Sequence, residues 1–119
     1  MDETAINRVT WAWRNLIGLD RDWTPPYRIR TVTASGNVNA LDSLVRVDAT
    51  AGAVVMTLET AVGCDGRPHS FKLIDASGNG MTIDGNGSET VDGAANKATT
   101  TQYASFTLVS NGVGWDVVT

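Results

Sequence analysis

The chain has 119 residues, a formal net charge of −4 and only 18% charged residues, with 12 glycines and a single cysteine. That length suits one domain with a core of its own. The lone Cys64 excludes an intrachain disulfide, and the composition is too apolar for a disordered segment.

The first 27 residues differ in character from the rest. They hold three of the four tryptophans, Trp11, Trp13 and Trp23. Ile6, Val9, Trp13, Leu16 and Ile17 recur at three- and four-residue spacings, which predicts one stripe of a helix over Glu3–Ile17. Asp2 or Thr4 could cap it and Gly18 could end it. Val9, Trp11 and Trp13 also alternate, which an extended arm would satisfy equally. Pro25-Pro26 forces extended backbone and sets the boundary between an N-terminal docking arm, 1–27, and a β domain, 28–119. So many large apolar groups need cover, from the chain's own β domain, from sister subunits or from a partner surface. Trp11, Trp13, Leu16, Ile17 and Trp23, with the flanking Arg8 and Arg14, are the candidate partner-binding residues.

Beyond the prolines the pattern turns to period two. Tyr27 to Ala34 alternates as a strand, and Ser35-Gly36-Asn37 reads as a turn. Leu44–Ala49 and Ala53–Glu59 read as a hairpin around Thr50-Ala51-Gly52, with Val45 and Val47 on one face and Val54, Met56 and Leu58 on the other strand's matching face. Thr60 to Pro68 is a loop, and His69 to Asp75 is a strand with Phe71 and Leu73 inward. Thr82-Ile83-Asp84-Gly85 is echoed by Thr90-Val91-Asp92-Gly93, two short strands expected in one sheet; two copies are too few for a solenoid.

The closing stretch Tyr103–Thr119 carries the clearest signal. Asn111-Gly112 is a favoured tight-turn dipeptide, and a turn there pairs Leu108 with Trp115 and Phe106 with Val117 on one face. Phe106, Leu108, Trp115 and Val117 are therefore the candidate core. The expected fold is all-β, a small antiparallel β-sandwich or barrel, preceded by an arm that holds a short helix or runs extended.

Little points to catalysis. His69 and Cys64 are single, which leaves the usual nucleophile–base pairs scarcely any material, and no nucleophile elbow, phosphate loop or zinc-binding signature is present; the scattered acids leave a carboxylate pair open. The run from Asp84 fails the calcium-loop pattern, which wants Gly at its sixth place and Glu at its twelfth, where Glu89 and Ala95 stand. Asp84, Asn86 and Asp92 could at most supply a weak cation site, and no cofactor is expected. Charge is uneven: residues 1–30 hold five arginines against four acids, whereas residues 31–119 hold four bases against nine acids. An acidic body argues against nucleic acid as a partner. No apolar run approaches the ~20 residues of a membrane span, and the acidic Met1-Asp2-Glu3 start is unlike a secretory signal.

Four runs carry a family resemblance: LVRVDATAGAVVMTLETA (44–61), FKLIDASGNGMTIDGNGSETVDG (71–93), TTQYASFTLVSNG (100–112) and GWDVV (114–118). From about Thr31 onward the chain resembles the small β domains of tailed-bacteriophage virion proteins, such as head decoration proteins, head fibres and tail-fibre segments. The resemblance transfers no catalytic residue. It implies a non-enzymatic virion structural protein, made in the host cytoplasm and placed on the capsid surface. Such a protein would bind the major capsid protein through its Trp-rich arm and stand as a homotrimer. The alternative it implies is a tail-fibre or receptor-binding module contacting a host glycan.

Overall fold

A computed structural model describes residues 28–119. In chain order the strands are β1 (Arg28–Val32), β2 (Gly36–Asn37), β3 (Asp42–Val47), β4 (Val54–Thr57), β5 (Pro68–Leu73), β6 (Met81–Asp84), β7 (Asn96–Thr99), β8 (Ser105–Ser110) and β9 (Trp115–Val117). They form two sheets, ordered β1-β3-β5-β8-β9 and β2-β4-β6-β7. The all-β expectation holds, and of sandwich or barrel the chain forms two sheets. Strand direction is mixed instead of antiparallel throughout.

From β1 to β6 successive strands alternate between the sheets, and each pairs in parallel with the strand two steps away. The chain therefore winds as a coil. β3 and β5 bring Leu44 beside Ser70, and β4 and β6 bring Val54 beside Met81. Inward side chains stack from one turn of the coil to the next: Val45 on Phe71, Val47 on Leu73, Val54 on Met81 and Met56 on Ile83. All eight are at most 1% exposed, and each contributes about 1.5–3 kcal/mol through burial. Parallel neighbours need a long crossover between them; here the opposite sheet supplies it.

The expected hairpin of 44–59 is therefore not formed. Leu44–Ala49 and Ala53–Glu59 lie in different sheets, because Thr50-Ala51-Gly52 rounds a corner of the coil instead of reversing the chain. That corner is held by side chains. The Asp48 carboxylate accepts from Thr50 N and Thr50 Oγ1, at 3.0 and 2.6 Å. One turn later Asp75 accepts from Ser77 N and from Ala49 N, at 3.1 and 2.8 Å, tying the two corners together. The supposed turn Ser35-Gly36-Asn37 contains β2, which adds to β4. The echo of Thr82 and Thr90 also splits. Ile83 lies in β6, whereas Val91 makes only isolated bridges, to Ala94 and to Trp115. Gly85 follows β6 where a Cβ would come within 2.2 Å of Glu89 O, so glycine is required by close approach.

Antiparallel strands close the far end. β7 pairs with β6, and β8 pairs with β5 and β9. The β8–β9 loop is Asn111–Gly114, two residues longer than the tight turn, so Ser110 meets Trp115 and Leu108 meets Val117. A shift of two keeps every side chain on its expected face. Gly112 takes φ +90°, while Asn111 serves through its side chain, whose Oδ1 accepts from Val113 N and Gly114 N at 3.0 and 2.8 Å. Leu108 and Trp115 are fully buried, and Phe106 and Val117 are partly buried against them.

Candidate functional site

The arm residues Trp11, Trp13, Leu16, Ile17, Trp23, Arg8 and Arg14 lie outside the described residues. Their attachment point is described. Segment 1–27 leads directly into β1, which among the described residues is the edge strand at one end of its sheet, with β9 at the other. On β1, Arg28 Nε and Arg30 Nη2 both donate to the buried Asp42 carboxylate of β3, at 2.9 and 2.8 Å. Asn39 N donates to it at 2.9 Å. Burial pushes the Asp42 carboxyl up, but the Asn39 N–H and the two guanidinium groups outweigh burial and hold it below the ordinary carboxylate value.

A polar chain continues inward from that point. His69, at the start of β5, is fully buried. Its Nδ1 meets Asp42 O, and its Nε2 meets Glu59 Oε2 at 2.9 Å. Glu59 also pairs with Arg67. The His69 ring lies 5.4 Å from the Trp115 ring, whose Nε1 donates to Glu59 O at 3.2 Å. This cluster joins the first, middle and last strands of one sheet. With both ring nitrogens engaged and the ring out of solvent, its chemistry is that of a brace. Cys64 is likewise buried, its Sγ directed at Thr60 O, 3.3 Å away.

The calcium-like run has a different role from the one its composition suggests. Asn86 donates to Leu58 O, and Asp92 accepts from Val117 N. Glu89 clamps the loop after β4 by accepting from Thr60 Oγ1 and Ala61 N, at 2.6 and 2.8 Å. Among the described residues no three His, Cys, Asp or Glu gather as metal ligands.

The outward face of the larger sheet presents a different set. Register places Thr31, Arg46, Lys72 and Ser105 side by side across β1, β3, β5 and β8. Beside them stands Tyr103, 61% exposed, with Lys72 Nζ 5.5 Å from its ring centroid. Tyr103 has φ +66°. Arg46 and Lys72 have no ion-pair partner among the described residues, whereas Arg28, Arg30 and Arg67 are paired. The sequence shows Tyr103 as an aromatic at the head of the closing stretch but does not bring Arg46 and Lys72 together. Their matching places in Val45-Arg46-Val47 and Phe71-Lys72-Leu73 were the available signal. No family model matches the chain, and no curated protein matches it.

Proposed function

We propose that the chain is a non-enzymatic structural protein of a tailed-bacteriophage particle. In this reading it decorates the outer capsid surface as a homotrimer, and its Trp-rich arm docks on the major capsid protein. The observation that carries the reading is the junction at β1. The docking segment enters at one edge of the coil, braced by Arg28, Arg30 and Asp42, while β7 to β9 close the opposite end. An anchor at the arm would stand the domain away from the surface it grips. Each tryptophan buries on the order of 200 Å², or about 5 kcal/mol gross at ~25 cal/mol per Å², before the cost of association. Two such anchors would supply much of a stable attachment.

The test incubates undecorated capsids with the full chain and with a Trp11→Ala, Trp13→Ala, Trp23→Ala variant. Loss of co-sedimentation with an unchanged melting temperature supports the arm as anchor. Equal binding by the variant sinks it. Light scattering of the free and particle-bound protein tests the trimer, and a monomer in both states counts against it. The second reading, a tail-fibre or receptor-binding module that contacts host glycan, is favoured by one observation, the exposed Tyr103 ring beneath Lys72. Locating the labelled protein on heads or tails separates the two.

A further inference from the structure

We infer that Tyr103, Lys72 and Arg46 form a binding site for a carboxylate-bearing saccharide. The inference goes beyond the attachment role and holds for either position on a particle, because it concerns only the outward face of the larger sheet.

Three independent observations converge on that face. The first is backbone strain. Ala104 N donates to Thr101 O at 3.1 Å, closing a four-residue turn in which Tyr103 is third. Its φ of +66° is one that a bulky side chain adopts at a cost, and glycine is the usual occupant of such a place. Every other positive-φ position among the described residues is glycine or aspartate. The strained residue keeps its ring largely in solvent, so burial does not repay the strain. Strain of this kind concentrates where a side chain must be presented.

The second observation is electrostatic. Arg46 and Lys72 are direct partners in the parallel register of β3 and β5, on the same outward face. Like charges facing each other across two strands repel. Nine acids against four bases in residues 31–119 left ample scope for an ion pair, yet neither cation forms one among the described residues. An anionic ligand between them would relieve the repulsion.

The third is shape and chemistry. The site is an open sheet face with one aromatic ring, one ammonium, one guanidinium and the exposed Ser105 hydroxyl position in register with Lys72. A pyranose fits it well. Its C–H face stacks on Tyr103, its ring carboxylate reaches Lys72 and Arg46, and its hydroxyls meet Ser105. A nucleic acid also offers a stacking face and anions, but its many phosphates would meet the acidic remainder of the domain.

The experiment is calorimetric titration of the full chain with tetragalacturonate and with sialyllactose. The neutral counterparts are galactotetraose and lactose, and an oligothymidylate serves as the nucleic-acid control. At least one acidic saccharide should bind about tenfold or more tightly than its neutral counterpart, with affinity falling as salt rises. Lys72→Gln and Arg46→Gln should each weaken binding by about tenfold. The decisive variant is Tyr103→Gly, which removes the strain with the ring: its melting temperature should stay level or rise while saccharide binding is lost. Four results would overturn the inference: no binding of either acidic saccharide at about 10 mM, equal affinity for the neutral sugars, tighter binding of the oligothymidylate, or a Tyr103→Gly variant that melts several degrees lower or still binds.

Discussion

The coil of β1 to β6 and the closing strands β7 to β9 share a core but assemble over different chain distances. In the closing part, β8 meets β9 across a four-residue loop and β7 follows β6 in the same sheet. In the coil, neighbours in space are separated by a full turn of chain, as Leu44 is from Ser70. A hairpin gains its contacts as soon as a short loop closes. A parallel turn gains nothing until the whole crossover is ordered. The two regions therefore depend on different devices. Local side chains such as Asn111 shape the hairpin, whereas buried stacks and corner carboxylates such as Asp75 hold the coil.

Substitutions at the seam, in the coil and in the hairpin test that division. The largest effect is expected at the seam. Trp115→Ala removes a β9 side chain packed on His69 of β5 and bonded to Glu59 O beyond β4. It should cost about 3–5 kcal/mol, seen as a lower denaturation midpoint for the whole domain. An unchanged midpoint would mean that the regions are held together elsewhere.

Next comes the start of the coil. Asp42→Asn leaves Arg28 and Arg30 without their carboxylate and should cost about 2–3 kcal/mol at neutral pH. The native carboxyl titrates below its unfolded value, so its stabilisation is present above the ordinary carboxylate range and is lost as pH falls through the folded value. The gap between native and variant should narrow on acidification below about pH 4. A constant gap across that range would refute the assignment. Asp75, held low first by the Ser77 hydroxyl and then by Ala49 N–H, adds to the same acid loss in both proteins.

The smallest effect belongs to the hairpin. Asn111→Ala removes the acceptor of Val113 N and Gly114 N and should cost about 1 kcal/mol. Hydrogen exchange should quicken across β8 and β9 while the amides of Val45 and Val47 keep their protection. Equal quickening in the coil would erase the distinction.

The same contrast explains what could be read from the residues. Strand positions were legible wherever side chains alternate, as at Val45 and Val47, Phe71 and Leu73, and Phe106 and Leu108. Partners were legible only in the hairpin, and there to within a two-residue shift. A corner and a reversal look alike from inside, since Val47 and Val54 point at the core in either case. The distinguishing signal was Asp48-Ala49-Thr50 returning as Asp75-Ala76-Ser77, a spacing that matches a turn of the coil. The shorter echo of Thr82-Ile83-Asp84-Gly85 drew attention instead. β7 carried no alternation, because Asn96, Lys97 and Ala98 are all exposed. At the candidate saccharide site Tyr103 was legible as an aromatic, but its positive φ was not, since nothing in its chemistry favours one. Arg46 and Lys72 became neighbours only through a parallel register.

The corner carboxylates also bear on how such a domain could change in length over evolutionary time. Asp75 grips the backbone of the turn before it, and Val45, Val47, Val54 and Met56 each rest on a counterpart one turn on. The middle turn thus offers the next an apolar row, whereas it receives Arg30 and Val32 from the turn before it. A duplicated segment running from β3 to the end of β4 could be spliced in ahead of β5 with its apolar stacks matched, provided the copied Asp42 gained cations to stand in for Arg28 and Arg30. The antiparallel lid and the residues ahead of β1 would keep their own neighbours, so reach could be selected separately from either end.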